Sequence, residues 1–200
     1  MAGGVKVALL AGAGGTVGTA VAARLAEDGY ATATLADVRD RGAIAERLDA
    51  AEAELGPVSV LVNDARWSPE GPLDELSEED WDRTLATNVK GGLLLTQELA
   101  ARMIEAERPG AIVQIGRHGG SGSAPFRASQ GGLLALGKGL ALELAAHRIR
   151  VNTVIAGPPA ELQPNSESLR SLVGTVAFLA SPRADFVTGS CIDTYNGGKQ

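Results

Sequence analysis

The sequence predicts a doubly wound α/β fold, one domain built on a mostly parallel sheet. Three observations predict it. Short runs rich in Val, Ile and Leu alternate along the whole chain with longer segments of helical spacing. The first run opens directly into a glycine-rich turn and then a helix, as at the edge of a ligand-binding parallel sheet. No linker, internal repeat or low-complexity tract divides the 200 residues, so residues 1–200 are read as one domain.

Each element has its own signature. Residues 5–10 form an apolar run suited to a strand buried on both faces, and residues 12–18 a glycine-rich turn. Residues 19–28 have helical spacing at Val21 and Leu25, with Gly29 as the stop. Residues 31–35 are a short strand ending at Asp37. Residues 41–55 repeat Ile44, Leu48, Ala51 and Leu55 on one helical face, and residues 58–62 return to a buried-type strand. Ser77-Glu78-Glu79-Asp80 resembles a capping box that opens a long helix through Trp81, Leu85, Val89 and Met103. Strands are predicted at 111–115 and 151–155, a Gly- and Ala-rich helix over 126–146 lies between them, and Leu169, Leu172, Val173 and Val176 mark the last helix. A short strand near residues 190–193 closes the pattern.

Composition narrows the function classes. With 44% hydrophobic and 21% charged residues the chain has ample material for one core. A net charge of −6 and a pI near 5.0 speak against a nucleic-acid partner. The single Cys191 leaves no internal disulfide framework and suits a reducing compartment. No apolar run reaches the roughly 20 residues of a membrane span, since Lys138 and Glu143 interrupt the longest candidate. The N-terminus lacks the basic start and cleavage site of a secretory signal, so a cytoplasmic protein without membrane or metal is expected.

The motifs, in order, resemble the short-chain dehydrogenase/reductase family. Ala11-Gly12-Ala13-Gly14-Gly15-Thr16-Val17-Gly18 is similar to that family's T-G-x-x-x-G-x-G turn. Asp37-Val38-Arg39-Asp40 resembles its D-V-x-D, Leu61-Val62-Asn63-Asp64-Ala65-Arg66 its L-V-N-N-A-G, and Asn88-Val89-Lys90-Gly91 its N-V-x-G. Ile112-Val113-Gln114-Ile115 leads into the catalytic-serine loop, and Phe126-Arg127-Ala128-Ser129-Gln130 stands where the family has Y-x-A-S-K. Arg150-Val151-Asn152, Gly157-Pro158, Phe178-Leu179-Ala180-Ser181 and Thr188-Gly189 match later segments, so the resemblance spans residues 5–198. It implies a Rossmann-like fold, NAD(P) as hydride carrier, and a tyrosine that passes a proton with its pKa lowered by a lysine.

The departures fall on that chemistry. Phe126 stands at the tyrosine position and has no proton to give; Gln130 stands at the lysine position and carries no charge. The serine position aligns with Arg117, with Ser121 and Ser123 nearby, and of the family's tyrosine, lysine, serine and helix asparagine only the asparagine survives, as Asn88. Thr16 replaces the middle glycine of the turn, and Arg66 a glycine along the cofactor groove. Members of the family it resembles run longer than this chain by roughly 50 residues, a fifth of a typical single-domain length. The missing length lies between Gly29 and Asp37, between Ile115 and Phe126, and after Gly157. The sheet is therefore expected to be one strand and one helix short of the family's, with residues 31–35 beside residues 5–10.

These departures set the expectations for function. Gly12, Gly14, Gly18, Asp37 and Asn63 are candidate cofactor-binding residues, read as vestigial: the glycines equally let strand and helix pack closely, and no cofactor is expected unless NAD(P) binding survives. Asn88, Arg117 and His118 are the catalytic candidates. Asn88 without its lysine partner reads as a tether of a helix kink to the sheet. Arg117 and His118, at the end of a strand, read either as a solvated loop or as a new non-redox site for a lyase, cyclase or dehydratase. The leading reading is a non-catalytic subunit of a homo- or hetero-oligomer, paired with itself or with an active short-chain dehydrogenase. Non-redox chemistry at Arg117 and His118 is the alternative, and an NAD(P)-dependent oxidoreductase the third reading. Leu93, Leu99, Leu133, Leu136, Leu140 and Leu144, with Gly131, Gly132, Gly137 and Gly139, are expected at the subunit boundary, and Trp67 and Trp81 in the core or the interface.

Overall fold

In the computed structural model, residues 6–118 and 123–195 are described. Six strands form one sheet: β1 (Lys6–Ala11), β2 (Tyr30–Leu35), β3 (Val58–Asn63), β4 (Gly110–Arg117), β5 (Ile149–Ala156) and β6 (Cys191–Asp193). Their order is β2-β1-β3-β4-β5-β6 and every pairing is parallel. The strands linking the sheet are apolar on both faces because helices cover both. Ala8, Leu10, Val60, Val62 and Val113 pack under α1 (Thr16–Glu27) and α6 (Glu167–Ala180). Their alternate neighbours Val7, Leu9, Leu61 and Ile112 pack under α2 (Arg41–Leu55), α4 (Gly91–Glu105) and α5 (Ala124–Leu144).

The strand predicted over 31–35 lies beside the first strand. Lys6 pairs with Tyr30 and Ala11 with Leu35, and no strand intervenes. The turn that allows this is Asp28-Gly29, where Gly29 adopts φ +85° after the last turn of α1. The long helix carries a feature that periodicity does not reveal. Its start, α3 (Glu78–Leu85), has the predicted capping box, with Ser77 Oγ accepting the Asp80 N–H at 3.1 Å while the Ser77 N–H donates to Asp80 Oδ2 at 3.0 Å. Between α3 and α4, however, residues Ala86–Lys90 form a π turn that contains Asn88. The extra residue in that turn swings Asn88 inward, and π turns of this kind gather at functional sites.

Burial corrects part of the reading of the two long helices. Leu99, Leu133 and Leu140 are buried within this chain by the sheet, so they need no partner subunit. Leu93, Leu136 and Leu144 are only half-buried. Gly137 is required inside the chain, because a Cβ there would lie 2.7 Å from Thr153 Oγ1 on β5. Gly132 faces Val89 at 3.2 Å, whereas Gly131 and Gly139 have open space where a side chain would be.

Candidate functional site

The sheet's order reverses between β1 and β3, and at that switch point the carboxyl ends of the strands splay to leave a crevice. Gly12 forms its floor. Its φ of +72° turns the chain out of β1, and a Cβ there would stand 2.4 Å from the Ala65 nitrogen. Gly18 is equally constrained, since its Cβ would fall 2.3 Å from Ala13 Cα; Gly14 has open space instead. Gly12 and Gly18 thus serve close packing, and that packing is what shapes the crevice. The groove has a volume of about 660 Å³. Gly15, Thr16 and Val17 at the start of α1 and Asp37, Val38 and Arg39 after β2 line one side. Asp64, Arg66 and Trp67 after β3 line the other, and Arg83, Leu162 and Gln163 border the mouth.

Charged groups in the groove are paired in a definite pattern. Arg39 grips Asp37 through both carboxylate oxygens, at 3.0 and 2.7 Å, and these hydrogen bonds hold the Asp37 carboxyl down to about 2. Asp64, after β3, accepts Arg117 Nη2 at 2.7 Å and Arg66 Nη1 at 2.8 Å on the same oxygen. Arg117 is the last residue of β4 and only 4% exposed. Burial pulls its pKa below the usual guanidinium value, and the Asp64 charge opposes that shift. The pair therefore spans the ends of β3 and β4 beneath the groove. Arg83 lies over the Trp67 ring, 4.5 Å from its centroid.

Where the resemblance placed proton-transfer groups, the side chains close a different network. Phe126 is buried. The Gln130 amide oxygen accepts the Arg117 backbone N–H at 2.8 Å. Asn88 accepts the Trp67 N–H at 2.7 Å and donates to the Trp67 carbonyl and to Ser129 Oγ, at 2.9 and 2.8 Å. It ties the π turn to the loop after β3 and to α5, a helix-kink tether with a loop rather than the sheet at its other end. Asn63 accepts the Ala65 N–H at 3.1 Å and donates to the buried Gln114 at 2.7 Å, which satisfies the end of its strand.

Arg117 and His118 part company. As neighbours on an extended chain they point to opposite sides. Arg117 goes down to Asp64, while His118 is exposed and reaches Asp193 on β6, its ring 5.2 Å from that of Tyr195. Arg117 is a buried strand residue and not a solvated loop side chain; Ser121 lies outside the described residues. Trp67 lines the groove and is not in the core, whereas Trp81, 44% exposed, borders an apolar channel between α3, α4 and α5. Sequence reasoning passed over Asp64, Gln114, Ser129 and Arg83. The signal for Asp64 was present: it and Arg117 both depart from the family's pattern, with opposite charges.

A parallel sheet whose glycine turn faces a crevice at the switch point defines a Rossmann-type nucleotide-binding fold. Within that class, the family described as enoyl-(acyl carrier protein) reductase matches residues 2–167. A 3-oxoacyl-[acyl-carrier-protein] reductase of Staphylococcus epidermidis is 30% identical over 241 aligned positions, covering 96% of this chain and 98% of that protein. A D-threitol dehydrogenase of Mycolicibacterium smegmatis is 30% identical, covering 92% of this chain and 89% of that protein. Among solved structures, a short-chain dehydrogenase/reductase from Serratia marcescens superposes with a TM-score of 0.82 at 30% identity, with 95% of each chain covered. The chain belongs to the short-chain dehydrogenase/reductase family.

The residues lining the groove fit the nucleoside and phosphates of an NAD(P) dinucleotide. The glycine turn, the start of α1 and Asp37 offer the contacts a nucleoside and its phosphates need. Past β3, the floor towards β4 is the buried Asp64–Arg117 pair, with Arg66 lying on Asp64. No residue of β4 or α5 lines the groove. Among the described residues there is no group of three or more His, Cys, Asp or Glu placed to hold a metal, and no helix long and apolar enough to cross a membrane.

Proposed function

We propose that this chain is a non-catalytic member of its family, serving as a structural or regulatory subunit of a homo- or hetero-oligomer in a reducing, cytoplasmic setting. One observation supports the reading: among the described residues, neither Phe126 nor Gln130, at the positions that resemble the family's tyrosine and lysine, carries a group that can pass a proton. General acid–base catalysis needs a titratable side chain within reach of the reacting atom. Phe126 has none, the Gln130 oxygen is held by the Arg117 N–H, and the Asn88 amide is taken up by Trp67 and Ser129. The ionisable pair beneath, Asp64 and Arg117, neutralises itself. The alternative of non-redox chemistry draws no support from Arg117 and His118 acting together, since each faces a different carboxylate.

The subunit part rests on the channel between α3, α4 and α5. Trp81, Leu85, Val89, Leu93, Gly132 and Leu136 line it with little polar surface, and a second cleft that shares Leu93 and Leu136 reaches Gly139 and Leu144. An apolar channel along two helices is a surface that a partner's helices would bury. The test of the catalytic part is direct. The purified chain is mixed with NADH or NADPH and a 3-oxoacyl thioester, and nicotinamide absorbance is followed. No turnover above the protein-free blank is expected; turnover abolished by Asn88→Ala would overturn the reading.

A further inference from the structure

We propose that the cavity at the amino end of the sheet, on the side opposite the groove, binds a small organic acid, one carboxylate on an apolar body. The cavity has a volume of about 560 Å³, the size of an ordinary ligand site. It lies between the starts of β1, β3, β4 and β5 and the chain that follows α5 and α6. Val60, Ala111, Ile149 and Ala180 give it an apolar wall. Three cations line it, Lys6, Arg148 and Arg150, against the single carboxylate of Asp185, on a protein whose net charge is −6. It shares no residue with the groove, so the inference stands apart from the reading above.

Helix ends account for only one of the three cations. The helices that cover a parallel sheet finish at this side, and their free carbonyls attract positive charge. Arg150 meets that demand at the end of α6. Its Nη1 and Nη2 donate to the Leu179 and Ser181 carbonyls at 2.8 and 3.1 Å, and the Tyr30 hydroxyl donates to the Ala180 carbonyl between them at 3.2 Å. Asp185 stands 3.9 Å from Arg150 Nε and answers its charge. Lys6 and Arg148 are left over. Lys6 sits over the Tyr30 ring, 5.3 Å from its centroid, and Arg148 gives one N–H to the Glu107 carbonyl at 3.3 Å. Neither has a carboxylate within ion-pair distance among the described residues. Two unanswered cations beside an apolar wall fit a ligand with a charged head and an apolar body.

The backbone of Arg148 is a second, independent observation. In the turn between α5 and β5 it adopts φ +58°, the left-handed conformation in which glycine is free of strain and arginine is not. The turn alone would be better served by glycine, so it is the guanidinium that accounts for arginine there.

Calorimetric titration of the intact protein with naphthoate, naphthalenemethanol and acetate tests the head and the body separately. Naphthoate is expected to bind with a Kd below about 1 mM, and the other two at least about tenfold more weakly. Lys6→Gln and Arg148→Gly should each weaken naphthoate by about tenfold. Arg148→Gly also relieves the left-handed backbone, so its thermal melt should be unchanged or raised, and lost binding is then not lost folding. Acetate as tight as naphthoate would reduce the cavity to an anion patch, and naphthalenemethanol as tight would show that the cations play no part; either overturns the proposal. So does the absence of naphthoate binding at about 1 mM, or binding indifferent to both substitutions, which would put the probe elsewhere on the molecule.

Discussion

Asp64 and Arg117 show how two unfavourable substitutions become tolerable together. Either alone would bury a charge; as a pair each supplies the other's counter-ion. Arg117→Met leaves Asp64 with only the half-exposed Arg66, and should destabilise the fold by about 3 kcal/mol in urea titration. Asp64→Asn combined with Arg117→Met should recover much of that loss, and strict additivity of the two changes would show that the pair is not coupled. Asp37 makes a smaller, pH-dependent contribution. Arg39 lowers its folded-state pKa to about 2, below the roughly 3.9 of an unfolded Asp. The stabilisation is therefore present above about pH 4 and lost as pH falls towards 2. The pair is largely exposed, so the amount is less than about 1 kcal/mol. Acid unfolding of Asp37→Asn should lack this component, and an unchanged acid limb would contradict it. At this scale the sequence names the substituted positions, but it hides which of them meet, because Asp64 and Arg117 are 53 residues apart.

The elements themselves were legible wherever periodicity decides. Residues 41–55 form the helix their spacing predicts, with Asp40 accepting the Gly42 N–H, and all six strands fall at the predicted runs to within a few residues. What periodicity does not encode is the π turn at Ala86–Lys90, since one inserted residue leaves the apolar positions plausible on either side. The glycine turn was legible as a motif but ambiguous in purpose, and the backbone around it resolves the ambiguity residue by residue. Gly18→Ala should cost about 1–3 kcal/mol or more, because its Cβ would meet the backbone of Ala13 in the turn that enters α1. Gly14→Ala, with nothing within 4 Å, should change stability little. Equal effects of the two in thermal melts would show that the close approach of Gly18 to Ala13 does not set the requirement.

For the whole molecule, the sequence raises the expectation of a subunit boundary along α4 and α5, but only the fold divides their side chains between the chain's own core and the channel. Gly139 is the informative position: it lines the second cleft, has free space within this chain, and costs a helix about 1 kcal/mol relative to Ala. If a partner's backbone comes close there, Gly139→Glu should split the oligomer without loss of folding, as read by light scattering and circular dichroism. Gly132→Glu is the poorer test, because Val89 already stands 3.2 Å from its Cβ position. A monomer of 20.4 kDa for the unaltered chain, alone and mixed with an active relative, would dismiss the subunit reading.

The Asp28-Gly29 turn between α1 and β2 also bears on how the chain acquires its shape. By seating β2 directly against β1, it makes the edge of the sheet from a single continuous β1–α1–β2 unit whose strands meet after one short helix. Pairings that close small loops forfeit less chain entropy before they are rewarded, and topologies rich in them assemble sooner. The rim that carries the glycine turn and Asp37 is thus the part of the sheet best placed to form first, a nucleus onto which β3 and the later strands are added. Pulsed hydrogen exchange would register this as early protection of the Val7 to Leu10 amides, ahead of those in β5.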